Sequence, residues 1–132
     1  MTDKAATDAA FKFFESFTSA MKSGDIDRIM SHYVDSEQTV QILSNGHIIF
    51  GFNQIKQEYA LFLDAVEMID FQVPQFQTVE MCDRMMLVVQ LNGMVRVRKS
   101  RVKLPYRGTG AILLNGKGPD FKMVYEHFTL ID

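Results

Sequence analysis

Tryptophan is absent from the 132 residues, cysteine occurs once and proline three times. The lone Cys82 cannot close an intrachain disulfide, and without a second cysteine there is no thiolate zinc spacing. A disulfide-stapled scaffold is excluded, and a reducing, cytoplasmic setting is expected. Long apolar runs are missing as well. The first twenty residues are broken by Asp3, Lys4, Asp8, Lys12 and Glu15, so no secretory leader is expected. Nowhere does the sequence offer the run of about 18 apolar residues that a membrane span needs.

Chemical motifs are equally sparse. The stretch "GKGP" near Gly116 lacks the strand-to-helix setting of a phosphate loop and has no Ser or Thr after its Lys. His32, His47 and His127 show no His-x-x-x-His or mixed carboxylate spacing. No metal and no cofactor are expected. A net charge of -2 argues against a surface built for polyanions, so nucleic acid is not an expected partner.

What is present is core-forming material: 47% hydrophobic residues, including eleven Phe and nine Met, enough for one domain spanning 1–132. Ala9, Ala10, Phe13, Phe14, Phe17, Ala20 and Met21 recur at steps of three and four, which predicts a long helix with one apolar stripe. Ser23-Gly24 ends it, and Asp25 caps a short second helix with an inward face of Ile26, Ile29, Met30 and Tyr33. "TVQIL" and "HIIFG" flank Asn45-Gly46 as a tight hairpin. Asn53 is expected to cap a third helix with Ile55, Tyr59, Phe62, Leu63 and Val66 inward. From Met68 onward the pattern is that of strands, with Pro74 at a bulge or an edge. The order α-α-β-β-α-β-β-β-β makes the fold class α+β.

One segment stands out. "GMVRVRKSRVKLPYRG" carries Arg96, Arg98, Lys99, Arg101 and Lys103 with no acid among them. Its apolar parity changes from odd (Val95, Val97) to even (Val102, Leu104), which requires a turn at Lys99-Ser100. That turn pairs Val95 with Leu104 on the core face and Arg96 with Lys103 on the other. Like charges directly opposite cost up to about 1 kcal/mol, so anions should lie close by. Glu67, Asp70, Glu126 and Asp132 are the candidates within the chain.

The pieces "SGDIDRIMSHYVD", "NGHIIFGFNQIKQEYALF" and "FKMVYEHFTLI", in this order and spacing, resemble the nuclear transport factor 2-like superfamily, and more narrowly its SnoaL-like branch. Phe121 stands where many relatives show Trp, and Thr129 where many show Ser. The resemblance implies a strongly curved, mixed, mostly antiparallel sheet of about six strands wrapped against three helices as a cone. It also implies an internal pocket and, commonly, a homodimer through the outer sheet face. Fold alone does not select a function among its members.

The expected function is binding of a small apolar or partly anionic molecule in the cone, with or without isomerase, cyclase or dehydratase-type acid/base chemistry. The alternative is a noncatalytic homodimerisation or adaptor module, with Met86, Val88, Met94 and Leu113 on the outer face. Strict alternation along the closing strand puts Phe121, Met123, Tyr125, His127 and Thr129 on one face and Lys122, Val124, Glu126 and Phe128 on the other. On that basis His127 is the candidate proton shuttle and Tyr125 and Met123 are candidate ligand contacts, joined by Tyr33 and Tyr59 from the inward stripes of their helices. A pocket carboxylate would be the expected general base, but the inward strand sets read from alternation contain no Asp or Glu. His32 and His47 are expected at the surface.

Overall fold

The computed structural model describes residues 4–131. Helix α1 (Lys4–Ser23) buries Ala10, Phe13, Phe14, Phe17, Ala20 and Met21, the stripe that the periodicity predicts. Gly24 follows at φ +70°, a left-handed conformation that costs glycine little. The Asp25 carboxylate accepts the Arg28 backbone N–H at 3.3 Å and opens α2 (Ile26–Met30). Strands β1 (Val40–Ile42) and β2 (Ile48–Phe50) form the short hairpin. Helix α3 (Phe52–Ala65) is capped by Gly51 at φ +93°, not by Asn53, which lies inside its first turn. The chain reverses so sharply there that a left-handed residue takes the cap position.

Four longer strands complete the sheet: β3 (Val66–Met81), β4 (Arg84–Val97), β5 (Lys103–Asn115) and β6 (Lys122–Leu130). The spatial order is β2-β1-β6-β5-β4-β3, an open mixed sheet. Only the β1–β6 pair is parallel. Pro74 sits on the edge strand β3 where the register slips between Gln72 and Gln75, so its missing donor breaks no ladder. No helix among the described residues is long and apolar enough to cross a membrane.

The helices cover the concave face, where Leu87, Val89, Leu91, Val95, Ile112 and Leu114 are buried. Two glycines of β5 shape the hollow. A Cβ on Gly108 would stand 2.1 Å from the Thr129 carbonyl oxygen, and one on Gly110 would meet the Phe128 ring at 3.0 Å. Only glycine lets the Phe128 ring lie this close to β5.

The basic hairpin has the register its parity demands. Val97 donates to the Val102 carbonyl at 2.8 Å, Val95 pairs with Leu104, and Arg96 with Lys103. Val102 and Leu104, expected in the core, are 50% and 45% exposed, because the tip runs past the helices. Of the expected anions, Glu67 meets Arg96 at 2.7 Å. Glu126 is instead buried on the inner face, and Asp132 lies outside the described residues.

Candidate functional site

The site depends on one extra residue in β6. Leu113 pairs with Tyr125, but the next pair is Leu114 with Met123, so Val124 is accommodated as a bulge. Below it, Phe121 and Met123 are buried inward; above it, the parity is reversed. Glu126 and Phe128 therefore face the cone, correcting the expectation from strict alternation that Glu126 points away from the pocket side. Glu126 sits between Gln41 of β1 and Ile112 of β5 in one inward cross-strand row.

Glu126 is buried, and its Oε1 takes hydrogen bonds from the Tyr33 hydroxyl (2.5 Å) and Gln41 Nε2 (2.9 Å). Tyr33 spends its one proton on this carboxylate, so the 2.6 Å contact between the two phenols has Tyr59 donating to the Tyr33 oxygen. The second carboxyl oxygen, Oε2, has no hydrogen-bond partner among the described residues. Burial pushes the Glu126 carboxyl above the usual carboxylate range, against the opposing pull of the Tyr33 and Gln41 bonds. Burial and then the nearby Glu126 charge push Tyr33, Tyr59 and Tyr106 upward, so all three remain protonated donors.

Above Glu126 lies a cavity of about 390 Å³. Its walls are largely aromatic, with Phe14, Phe17, Phe62, Phe71, Tyr106 and Phe128 among the lining residues. Tyr106 stacks on Phe128 at 5.7 Å and is flanked by Phe62 at 5.9 Å and Phe71 at 6.5 Å. Its ring is thus held on several sides, while its hydroxyl has no hydrogen-bond partner among the described residues. The lining contains the carboxylates Glu58 and Glu126 but no Lys, Arg or His. Gln41 Oε1 is buried without a partner.

Of the residues singled out from sequence, Tyr59 lines the cavity and Tyr33 stands behind Glu126 as its hydrogen-bond donor. Met123 is fully buried in the core, bridged to Tyr33, and does not line the cavity. Tyr125 and His127 lie on the opposite face from Glu126, beyond the bulge, and neither lines the cavity. His32 is buried, contrary to expectation, between the Phe13 and Phe17 rings, with Nε2 2.8 Å from Ser16 Oγ. Alternation missed Glu126, Gln41, Tyr106 and Phe128. A signal existed in β6, since its apolar positions change from odd (Phe121, Met123) to even (Phe128, Leu130).

No protein-family model matches the chain, and no curated protein matches it. Solved structures do match. A ketosteroid isomerase-like protein from Erwinia carotovora atroseptica has a TM-score of 0.83 at 14% identity, over 98% of this chain and 99% of that one. A nuclear transport factor 2-like superfamily protein from Salmonella enterica gives 0.85 at 10% identity, over 97% and 92%. An uncharacterized protein with a cystatin-like fold from Caulobacter vibrioides gives 0.74 at 12% identity, over 97% and 91%. The chain therefore has the nuclear transport factor 2-like fold that the sequence resemblance implies.

Proposed function

We propose that the cone binds a small, predominantly apolar molecule and that Glu126 moves a proton on it, as general base and then as general acid. The observation that carries this reading is a buried carboxyl at the cavity with one oxygen held by Tyr33 and Gln41 and the other unpartnered. Its upward shift brings it toward the working range of a proton-transfer group. The likeness to an isomerase-like protein makes proton transfer the first reaction class to test. A cavity with two acids and no cation in its lining disfavours the partly anionic ligand considered from sequence.

In this reading, ionised Oε2 takes a proton from a carbon beside a carbonyl group. The C–H bond pair becomes the enolate, and the Tyr106 hydroxyl is a free donor for the developing charge. Return of the same proton to another carbon gives isomerisation; its delivery to a departing hydroxyl gives dehydration. Tyr33 and Gln41 fix the carboxyl plane throughout, and the aromatic walls limit access of water.

The test is hydrogen–deuterium exchange at the activated methylene of 2-tetralone in D2O, followed by proton NMR. The protein should accelerate exchange, Glu126→Gln should lower the rate by about 100-fold or more, and Glu67→Gln should match the unsubstituted protein. Exchange no faster than in buffer, or undiminished in folded Glu126→Gln, rejects the reading.

A second reading concerns assembly. Val79, Met86, Leu113, Tyr125, Val40 and Phe50 form one cross-strand row on the outer face, and Val88, Ala111, His127, Ile42 and Ile48 lie in the next. Phe50 is 62% exposed, Val88 41% and Met94 36%, an apolar surface left open among the described residues. This supports a homodimer through the outer face, compatible with ligand binding inside the cone. Sedimentation equilibrium should give a dimer that Val88→Lys dissociates; a monomer at micromolar concentration counts against it.

A further inference from the structure

The polar atoms left without partners differ in what they ask of a ligand. Glu126 Oε2 and Gln41 Oε1 are acceptors, and the Tyr106 hydroxyl can donate or accept. A ketone brings acceptors only and so serves just Tyr106. An ammonium group brings three donors and no acceptor. From this imbalance, together with the absence of any cation in the lining, we propose that the cone takes a hydrophobic primary amine as its ammonium ion. Its charge sits against Glu126 Oε2 and its hydrocarbon body among Phe14, Phe17, Phe62 and Phe71.

The energetics favour this pairing in a specific way. Burying an ion pair ordinarily requires desolvating both members, which can exceed their attraction. Here the carboxyl is already buried by the fold, already bonded through Oε1, and lacks a counter-charge. The ligand has only its own desolvation to overcome. The aromatic lining, Tyr106 and Phe128 included, would offset part of it wherever a ring meets the ammonium group, through cation–π attraction. An anion meets two carboxylates instead, and a neutral alcohol meets the same site without charge complementarity.

This inference rests on Glu126 being the polar end of the ligand site, but not on its moving a proton. It is tested by isothermal titration calorimetry near neutral pH with 2-aminotetralin and 2-tetralol, which share a skeleton and differ in ammonium against hydroxyl. The amine should bind at least about tenfold more tightly, the equivalent of ~1.4 kcal/mol. Glu126→Gln should erase most of that preference. The amine should also inhibit 2-tetralone exchange competitively.

Equal binding of amine and alcohol by the unsubstituted protein, or binding of neither, overturns the inference without recourse to any variant. Retention of the full preference in folded Glu126→Gln also overturns it. If exchange proceeds but the preference is absent, the amine inference fails alone. If the preference is present but exchange is absent, the proton-transfer reading fails alone.

Discussion

Glu67 and Glu126 are carboxylates of the same curved sheet, held in opposite ways. Glu67 lies on the edge strand β3 and meets Arg96 across the ladder at 2.7 Å, with 40% of its side chain exposed. Glu126 lies inside, without a cation, on a phenol and an amide. The first arrangement neutralises a charge where water already screens it. The second leaves a carboxyl elevated in its proton affinity and open at one oxygen. A salt bridge makes a carboxylate inert as a base, whereas burial with neutral donors keeps it able to exchange a proton.

The largest effect is expected at Tyr33. Tyr33→Phe removes the donor to Glu126 Oε1 and the acceptor of Tyr59 together, inside a fully buried pocket of the core. A loss of about 1–3 kcal/mol in unfolding free energy is expected, measured by chemical denaturation. Because that bond lowers the Glu126 proton affinity, its removal should also shift the pH profile of exchange upward. A stable variant with an unmoved profile would show that Tyr33 packs beside Glu126 without controlling it.

How far this site was legible depends on which element is considered. The helical stripes could be read because apolar periodicity at 3.6 is sustained over whole helices, and α1 buries the predicted side chains. The basic hairpin is legible because its parity change demands a turn, and Val95 pairs with Leu104 as that turn requires. The same logic was available in β6, where Phe121 and Met123 give way to Phe128 and Leu130. It was obscured because Val124 is apolar and ordinary, and no Gly or Pro marks the bulge. Extending one parity across "KMVYEHF" puts His127 on the inward face that Glu126 occupies. Gln41 was hidden for a different reason, since a polar residue in a short strand becomes meaningful only once its partner is known to be a carboxyl.

Burial of Glu126 also makes stability depend on pH. Glu126 has a higher proton affinity in the folded chain than its value of 4.5 in the unfolded one. The folded state therefore binds more protons between the two pKa values, and stability falls as pH rises through that window. Above the folded pKa the full penalty is present; below 4.5 it is absent. Glu126→Gln abolishes this dependence. The melting temperature of the variant relative to the unsubstituted protein should rise steadily from pH 4 toward neutrality. A flat difference for Glu126→Gln would mean that burial does not raise its pKa.

The smallest effect belongs to the exposed pair. Arg96 faces Lys103 across the β4–β5 ladder and Glu67 across β3–β4, so one acid and one like charge compete for it. Water screens all three, and a double-mutant cycle of Arg96→Ala with Glu67→Ala should return a coupling of only about 0.2–1 kcal/mol, reduced further by salt. Lys103→Ala should slightly stabilise the protein, because it relieves the like-charge pairing without removing the bridge. If the Arg96–Glu67 coupling instead exceeded the whole cost of Tyr33→Phe, the hairpin would be a structural anchor. The distinction between a screened charge at the tip and an unscreened one in the cone would then have the wrong sign.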